Sequence, residues 1–144
     1  MVTSIDLFCG AGGLTLGLKK NDIKCVLAVE YKKDFAETFY LNNSNSKIIT
    51  EDISTVDFSK ILKENNLKDI DLVCGGPPCQ GFSTVGKKNA EDKRNSLFWQ
   101  FLRAVDEVDP KIVLFENVSG FKRLYKGVAY HTLVNELKKK GYNI

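Results

Sequence analysis

The sequence predicts an α/β fold in which a mostly parallel sheet carries helices on both faces. Two observations predict it: hydrophobic runs alternate regularly with turn signals, and each short β-rich run is followed by a longer segment of helical spacing. At 144 residues, 43% hydrophobic and 27% charged, the chain has room for one domain with a real core and no second complete one.

The elements follow in order. Strands are predicted over Ser4–Phe8, Cys25–Val29, Ile48–Thr50, Ile70–Val73 and Ile112–Phe115. Helices are predicted between them over Leu14–Lys20, Lys33–Asn42, Phe58–Asn65, Ser96–Val108 and Ala129–Lys140. Periodicity is clearest in the fourth helix, where Leu97, Phe98, Phe101, Leu102 and Val105 share one face and Gln100, Arg103, Asp106 and Glu107 fall away from it. The last helix ends in Lys138-Lys139-Lys140 and Gly141, which suits the negative end of a helix dipole and a glycine C′ position. That basic run therefore reads first as a helix end.

The net charge of +3 is too small to announce a polyanionic partner. With no basic start followed by an apolar run, and no stretch of membrane-spanning length, a cytosolic protein is expected. Cysteines 9, 25, 74 and 79 then read as reduced thiols. Their scatter, with His131 the single histidine, argues against a metal site.

Chemistry concentrates at the strand ends. The first strand runs into Asp6-Leu7-Phe8-Cys9-Gly10-Ala11-Gly12-Gly13, a glycine-rich turn that opens a helix and lets a nucleotide-like ligand approach the backbone. A dinucleotide fingerprint would need a small residue three positions after Gly12, where Thr15 stands, so the turn fits a pyrophosphate poorly. Glu30 ends the second strand and suits ribose hydroxyls; Glu51-Asp52-Ile53 closes the third. Glycines, a carboxylate and another carboxylate on successive strand ends suit a ligand with ribose and adenine but no diphosphate, such as S-adenosylmethionine. After the fourth strand, Gly75-Gly76-Pro77-Pro78 stiffens the chain and presents Cys79 at a loop tip, in the position of a nucleophile.

With these residues in hand, the chain resembles the DNA cytosine-5 methyltransferases from about residue 4 onward. The resemblance rests on the turn at Asp6 to Gly13, on Glu30, on Asp52-Ile53, on Gly76-Pro77-Pro78-Cys79-Gln80-Gly81-Phe82-Ser83, on Arg94-Asn95-Ser96-Leu97-Phe98 and on Glu116-Asn117-Val118. It implies a Rossmann-like methyltransferase fold, S-adenosylmethionine as methyl donor with S-adenosylhomocysteine as product, no metal, and double-stranded DNA as substrate. It further implies that Cys79 attacks a flipped-out cytosine; because Glu116 follows the apolar run Ile112–Phe115, it is expected to be partly buried, with a raised pKa that lets it share a proton with cytosine N3. Cofactor contacts are implied at Phe8, Gly10, Gly12, Gly13, Glu30, Asp52, Ile53, Pro78 and Leu97, and DNA contacts at Gln80, Ser83, Lys87, Lys88, Arg94 and Asn117.

Family members continue through a Gln-Arg-x-Arg motif, a target-recognition region and a final motif that returns to the cofactor pocket. Residues 1–144 are accordingly expected to be the N-terminal part of the catalytic domain, lacking the last strands: a fragment or split subunit from a restriction-modification system, with a complementing C-terminal chain as one partner. A catalytically inactive S-adenosylmethionine- or partner-binding fragment and an RNA-methylating relative are the alternatives, and Gly81-Phe82-Ser83 favours DNA over RNA.

Overall fold

The computed structural model of the chain describes residues 1–78 and 97–144, apart from the side chains of residues 124 and 125. Five strands, β1 (Val2–Leu7), β2 (Ile23–Val29), β3 (Lys47–Ile49), β4 (Leu72–Gly75) and β5 (Ile112–Phe115), form one sheet in the order β3-β2-β1-β4-β5. Every pairing is parallel. The helices are α1 (Gly13–Lys19), α2 (Lys33–Asn42), α3 (Phe58–Glu64), α4 (Leu97–Val108) and α5 (Val128–Lys139), with 3-10 segments at Ile53–Thr55 and Ser119–Gly127. No described helix is long and apolar enough to cross a membrane.

This order places the strand switch at β1, with β2 and β3 on one side and β4 and β5 on the other. The carboxyl ends of β1, β2 and β4 therefore converge around one crevice, where such sheets bind ligands. Predicted strands and helices all appear, with ends that move by one or two residues. The largest change is at β4, predicted from Ile70 but running from Leu72 into Gly75, because Gly75 pairs with Leu7 of β1.

The main core is built from alternate residues of the central strands, Ile5, Leu7, Leu27, Val29 and Val73, facing Phe98, Phe101 and Val105 of α4. Phe39, Phe58 and Phe101 are completely buried, and each such aromatic contributes about 2–3 kcal/mol by leaving water. Phe101 meets Phe115 of β5 edge to face at 5.2 Å between ring centroids.

The polar side of α4 departs from expectation. Gln100 is buried, and Arg103 and Glu107 are half-buried rather than solvated. The segment following β3 covers them. Arg103 donates to the carbonyls of Ile53 at 2.7 Å and Val56 at 3.0 Å, to Gln100 Oε1 at 2.7 Å and to Glu107 Oε1 at 2.5 Å. Glu107 Oε2 in turn accepts from the amide of Phe58 at 2.9 Å. One guanidinium thus fastens the exit of β3 to α4.

The basic run at the end of α5 is a helix terminus, as its composition suggested. Gly141 takes φ of 92°, its amide donates to Lys138 O at 3.0 Å, and the amide of Tyr142 donates to Leu137 O at 3.1 Å. These two bonds make a Schellman motif. Lys139 pairs with Glu136, and Lys140 with Asp106.

Candidate active site

The site is built on four strand ends. Leaving β1, Phe8 and Gly10 adopt left-handed backbone with φ of 58° and 54°, which folds the chain back across the end of β2. The amide of Gly10 donates to Glu30 Oε2 at 2.9 Å, and the amide of Lys32 donates to Glu30 Oε1 at 2.8 Å. Each carboxylate oxygen keeps a lone pair for a further donor, as ribose hydroxyls would require.

At the exit of β3, Asp52 caps the 3-10 turn. Its Oδ1 accepts from the amide of Ser54 at 2.9 Å and from the Ser54 hydroxyl at 2.7 Å, and these bonds hold its pKa below the ordinary carboxylate value. Asp52 stays exposed and charged beside the cleft.

Phe8, Gly10, Glu30, Asp52, Ile53, Pro78 and Leu97, seven of the nine predicted cofactor residues, line one cleft of about 630 Å³. That volume lies within the range for small-molecule sites. Gly12 and Gly13 stand outside its walls. A Cβ on Gly12, whose φ is 96°, would lie 2.9 Å from Cδ2 of Phe39, so this glycine lets α2 pack closely. Gly13 opens α1 into free space.

Sequence reasoning missed Tyr31, Lys32 and Phe35, which also line the cleft. Tyr31 and Phe35 are exposed aromatics, and the ammonium of Lys32 lies 5.2 Å from the Phe35 ring centroid. The available signal was two aromatic side chains within five residues of a strand-end carboxylate.

The ends of β4 and β5 are tied together. The Glu116 amide donates to Gly75 O at 2.9 Å, and Asn117 Nδ2 donates to Pro77 O at 2.9 Å, holding the diproline turn. A Cβ on Gly76 would lie 2.6 Å from Glu116 Oε2, so the carboxylate rests directly over this glycine, three residues ahead of Cys79 in the chain. Contrary to expectation, Glu116 is exposed rather than partly buried. Its strand is the edge of the sheet, with Ile112 and Leu114 exposed as well, so an apolar run here does not bury the residue that follows it. Cys79, Gln80, Ser83, Lys87, Lys88 and Arg94 lie outside the described residues.

Beneath the glycine turn, Asp6 is 1% exposed and accepts from the Thr15 hydroxyl of α1 at 2.6 Å. Burial outweighs this bond and raises its pKa to about 6. The Cys9, Cys25 and Cys74 thiols are also buried, with pKa values pushed up chiefly by the same desolvation.

Asp6 thus binds its proton more tightly in the folded chain than in the unfolded one. Its contribution is fully present below the unfolded pKa and is lost as pH rises toward and past about 6. Relative to wild type, Asp6→Asn should gain about 2 kcal/mol between pH 4 and pH 7, as read from denaturant unfolding at each pH. A pH-independent difference would place the Asp6 charge elsewhere.

This combination of glycine turn, strand-end acids, diproline turn and Glu-Asn pair agrees with a direct match. The model of the C-5 cytosine-specific DNA methylase family covers residues 2–144. The chain belongs to that family.

Among relatives of this family member, the Type II methyltransferase M1.HphI of Haemophilus parahaemolyticus is 34% identical across 99% of the chain, which spans 39% of that protein. M.DdeI of Desulfomicrobium norvegicum is 38% identical across 97% of the chain, which spans 34% of that protein. A solved prophage-encoded E. coli protein, described as a DNA modification methyltransferase, superposes with a TM-score of 0.78 at 33% identity, over 96% of this chain and 38% of that one. The S. pombe Dnmt2 methyltransferase, at 24% identity and a TM-score of 0.73, shares the fold. The methylase chain thus spans a third to two-fifths of the length of these proteins.

Proposed function

We propose that the chain is the cofactor-binding and nucleophile-bearing part of an enzyme that transfers a methyl group from S-adenosylmethionine to C5 of cytosine in double-stranded DNA. The observation that carries this reading is the juxtaposition of the Glu30 and Asp52 cleft with the Asn117-braced turn that leads to Cys79.

S-adenosylmethionine supplies an electrophilic sulfonium methyl group. Glu30, held by two peptide amides, is oriented to accept from ribose hydroxyls, while Asp52 and the apolar wall of Ile53 and Leu97 suit an adenine amine and ring. Pro78 lines the same cleft, and Cys79 is the next residue in the sequence.

The Cys79 thiolate adds to C6 of a cytosine turned out of the duplex, and Glu116 shares a proton at N3 to accept the charge that develops in the ring. The C5 carbon then takes the methyl group. Loss of the C5 proton and departure of the thiolate restore the ring and free the enzyme.

Gln80, Ser83, Lys87, Lys88 and Arg94 are assigned to the DNA backbone and target base, with the protein working in the cytoplasm. A complementing chain that carries a target-recognition region is proposed as a partner.

The test is transfer of label from methyl-tritiated S-adenosylmethionine to cytosine-containing duplex, by the chain alone and mixed with the C-terminal part of a related enzyme. Label in 5-methylcytosine, in either sample, supports the reading. Failure of the chain to bind S-adenosylmethionine by calorimetry, with no transfer in the mixture, overturns it.

A further inference from the structure

The stretch from Asn117 to Asn135 holds Lys122, Arg123, Lys126 and His131 and no aspartate or glutamate. Lys122, Arg123 and Lys126 are exposed, and none makes an ion pair with a described residue. Elsewhere Lys33, Lys60, Arg103, Lys111, Lys139 and Lys140 each have a carboxylate within 4 Å, whereas Lys19, Lys20 and Lys24 have none among the described residues. What sets this segment apart is that its own residues supply no carboxylate to neutralise its cations.

The segment is also firmly placed. Phe121 is buried, its ring centroid lies 5.2 Å from that of Phe115, and its amide donates to Val118 O at 2.9 Å. Phe115 immediately precedes Glu116, so the 3-10 segment is anchored to the strand end that carries the acid. Lys122 lies 5.6 Å from the Tyr130 ring centroid, and Lys126 and Gly127 turn through left-handed backbone, with φ of 57° and 85°, into α5. Three exposed cations therefore follow the carboxyl end of β5, on a segment anchored to that strand end.

We infer that Lys122, Arg123 and Lys126 form a contact surface for the phosphate backbone of duplex DNA, flanking the strand end that carries Glu116. The identity of the polyanion rests on the function proposed above; the surface itself rests on charge and placement. Such contacts fix the position of a duplex without reading its sequence. An acidic protein surface would satisfy the same charges but would not bring a target base to this edge.

The experiment measures binding of a fluorescent duplex to the 144-residue chain by anisotropy across a series of salt concentrations. The triple variant Lys122→Gln, Arg123→Gln and Lys126→Gln is compared with Lys19→Gln, Lys20→Gln and Lys24→Gln. The latter three are exposed cations around the amino end of β2, away from β5 in the sheet order, and their removal changes net charge equally.

Each lost phosphate contact should flatten the slope of log affinity against log salt by about 0.9, so the first variant should lose about 2 to 3 in slope while the second keeps the wild-type value. The loss should be the same for unrelated duplex sequences. Equal slopes for both variants would overturn this surface and leave the proposed function standing. A wild-type chain with no affinity for any duplex would overturn this surface, whereas the proposed function falls only with loss of S-adenosylmethionine binding and of transfer in the mixture. Circular dichroism melting of each variant checks that these exposed substitutions leave the fold intact.

Discussion

Serine at position 79 is expected to lower methyl transfer by on the order of a thousandfold or more in an active preparation, and to abolish covalent capture of DNA. An unperturbed thiol is about 3% ionised at pH 7, and a serine hydroxyl is ionised far less. The oxygen must therefore attack as a neutral group and is a weaker nucleophile towards C6. Cofactor affinity should hold, since Glu30, Asp52 and the apolar walls of the cleft are untouched. Duplex containing 5-fluorocytosine provides the second readout. After addition of the thiolate to C6 and methylation at C5, fluorine cannot depart as a proton does, so the adduct persists through denaturing electrophoresis. An adduct formed by the serine variant, or none formed by the active cysteine enzyme, would remove Cys79 from the mechanism.

The second large effect lies in the sheet. A Cβ on Gly75 would stand 2.4 Å from the carbonyl oxygen of Leu7, and the obstructing atom is backbone, which no side-chain rotation can relieve. Gly75→Ala must therefore push the end of β4 away from β1, where the two strands pair and the glycine turn begins. A loss of about 3 kcal/mol is expected, at the upper end of overpacking costs. For a chain of this size that is a fall in Tm of roughly 10 °C by scanning calorimetry. A variant melting with the wild type would mean that the two strand ends are farther apart than described.

Much of this architecture could be read from local pattern. Lys33–Asn42 and Ile112–Phe115 were placed to the residue, because each is bounded by polar turns and carries unambiguous spacing. The acid at 30 was legible because its strand ends in an apolar residue, which brings the next polar side chain to the sheet edge; Asp52, two residues beyond Thr50, was marked by the resemblance. What escaped detection was long-range. Arg103 binds carbonyls 47 and 50 positions away in the sequence, so its spacing within α4 could only mark it as a surface residue. The exposure of Glu116 depended on β5 being the outermost strand, a property of sheet order that four apolar residues in a row do not encode. Asp6 was read as part of a glycine turn, and only packing under α1 turned it into a buried, protonatable group.

The grip of two peptide amides on Glu30 means that much of this side chain's conformational freedom is surrendered during folding, before any nucleoside arrives. Recognition at this edge is then a property of backbone shape rather than of a mobile acid. Substitutions that merely loosen the bends at Phe8 to Gly10 or at Tyr31 to Lys32 should erode affinity even with Glu30 itself unchanged.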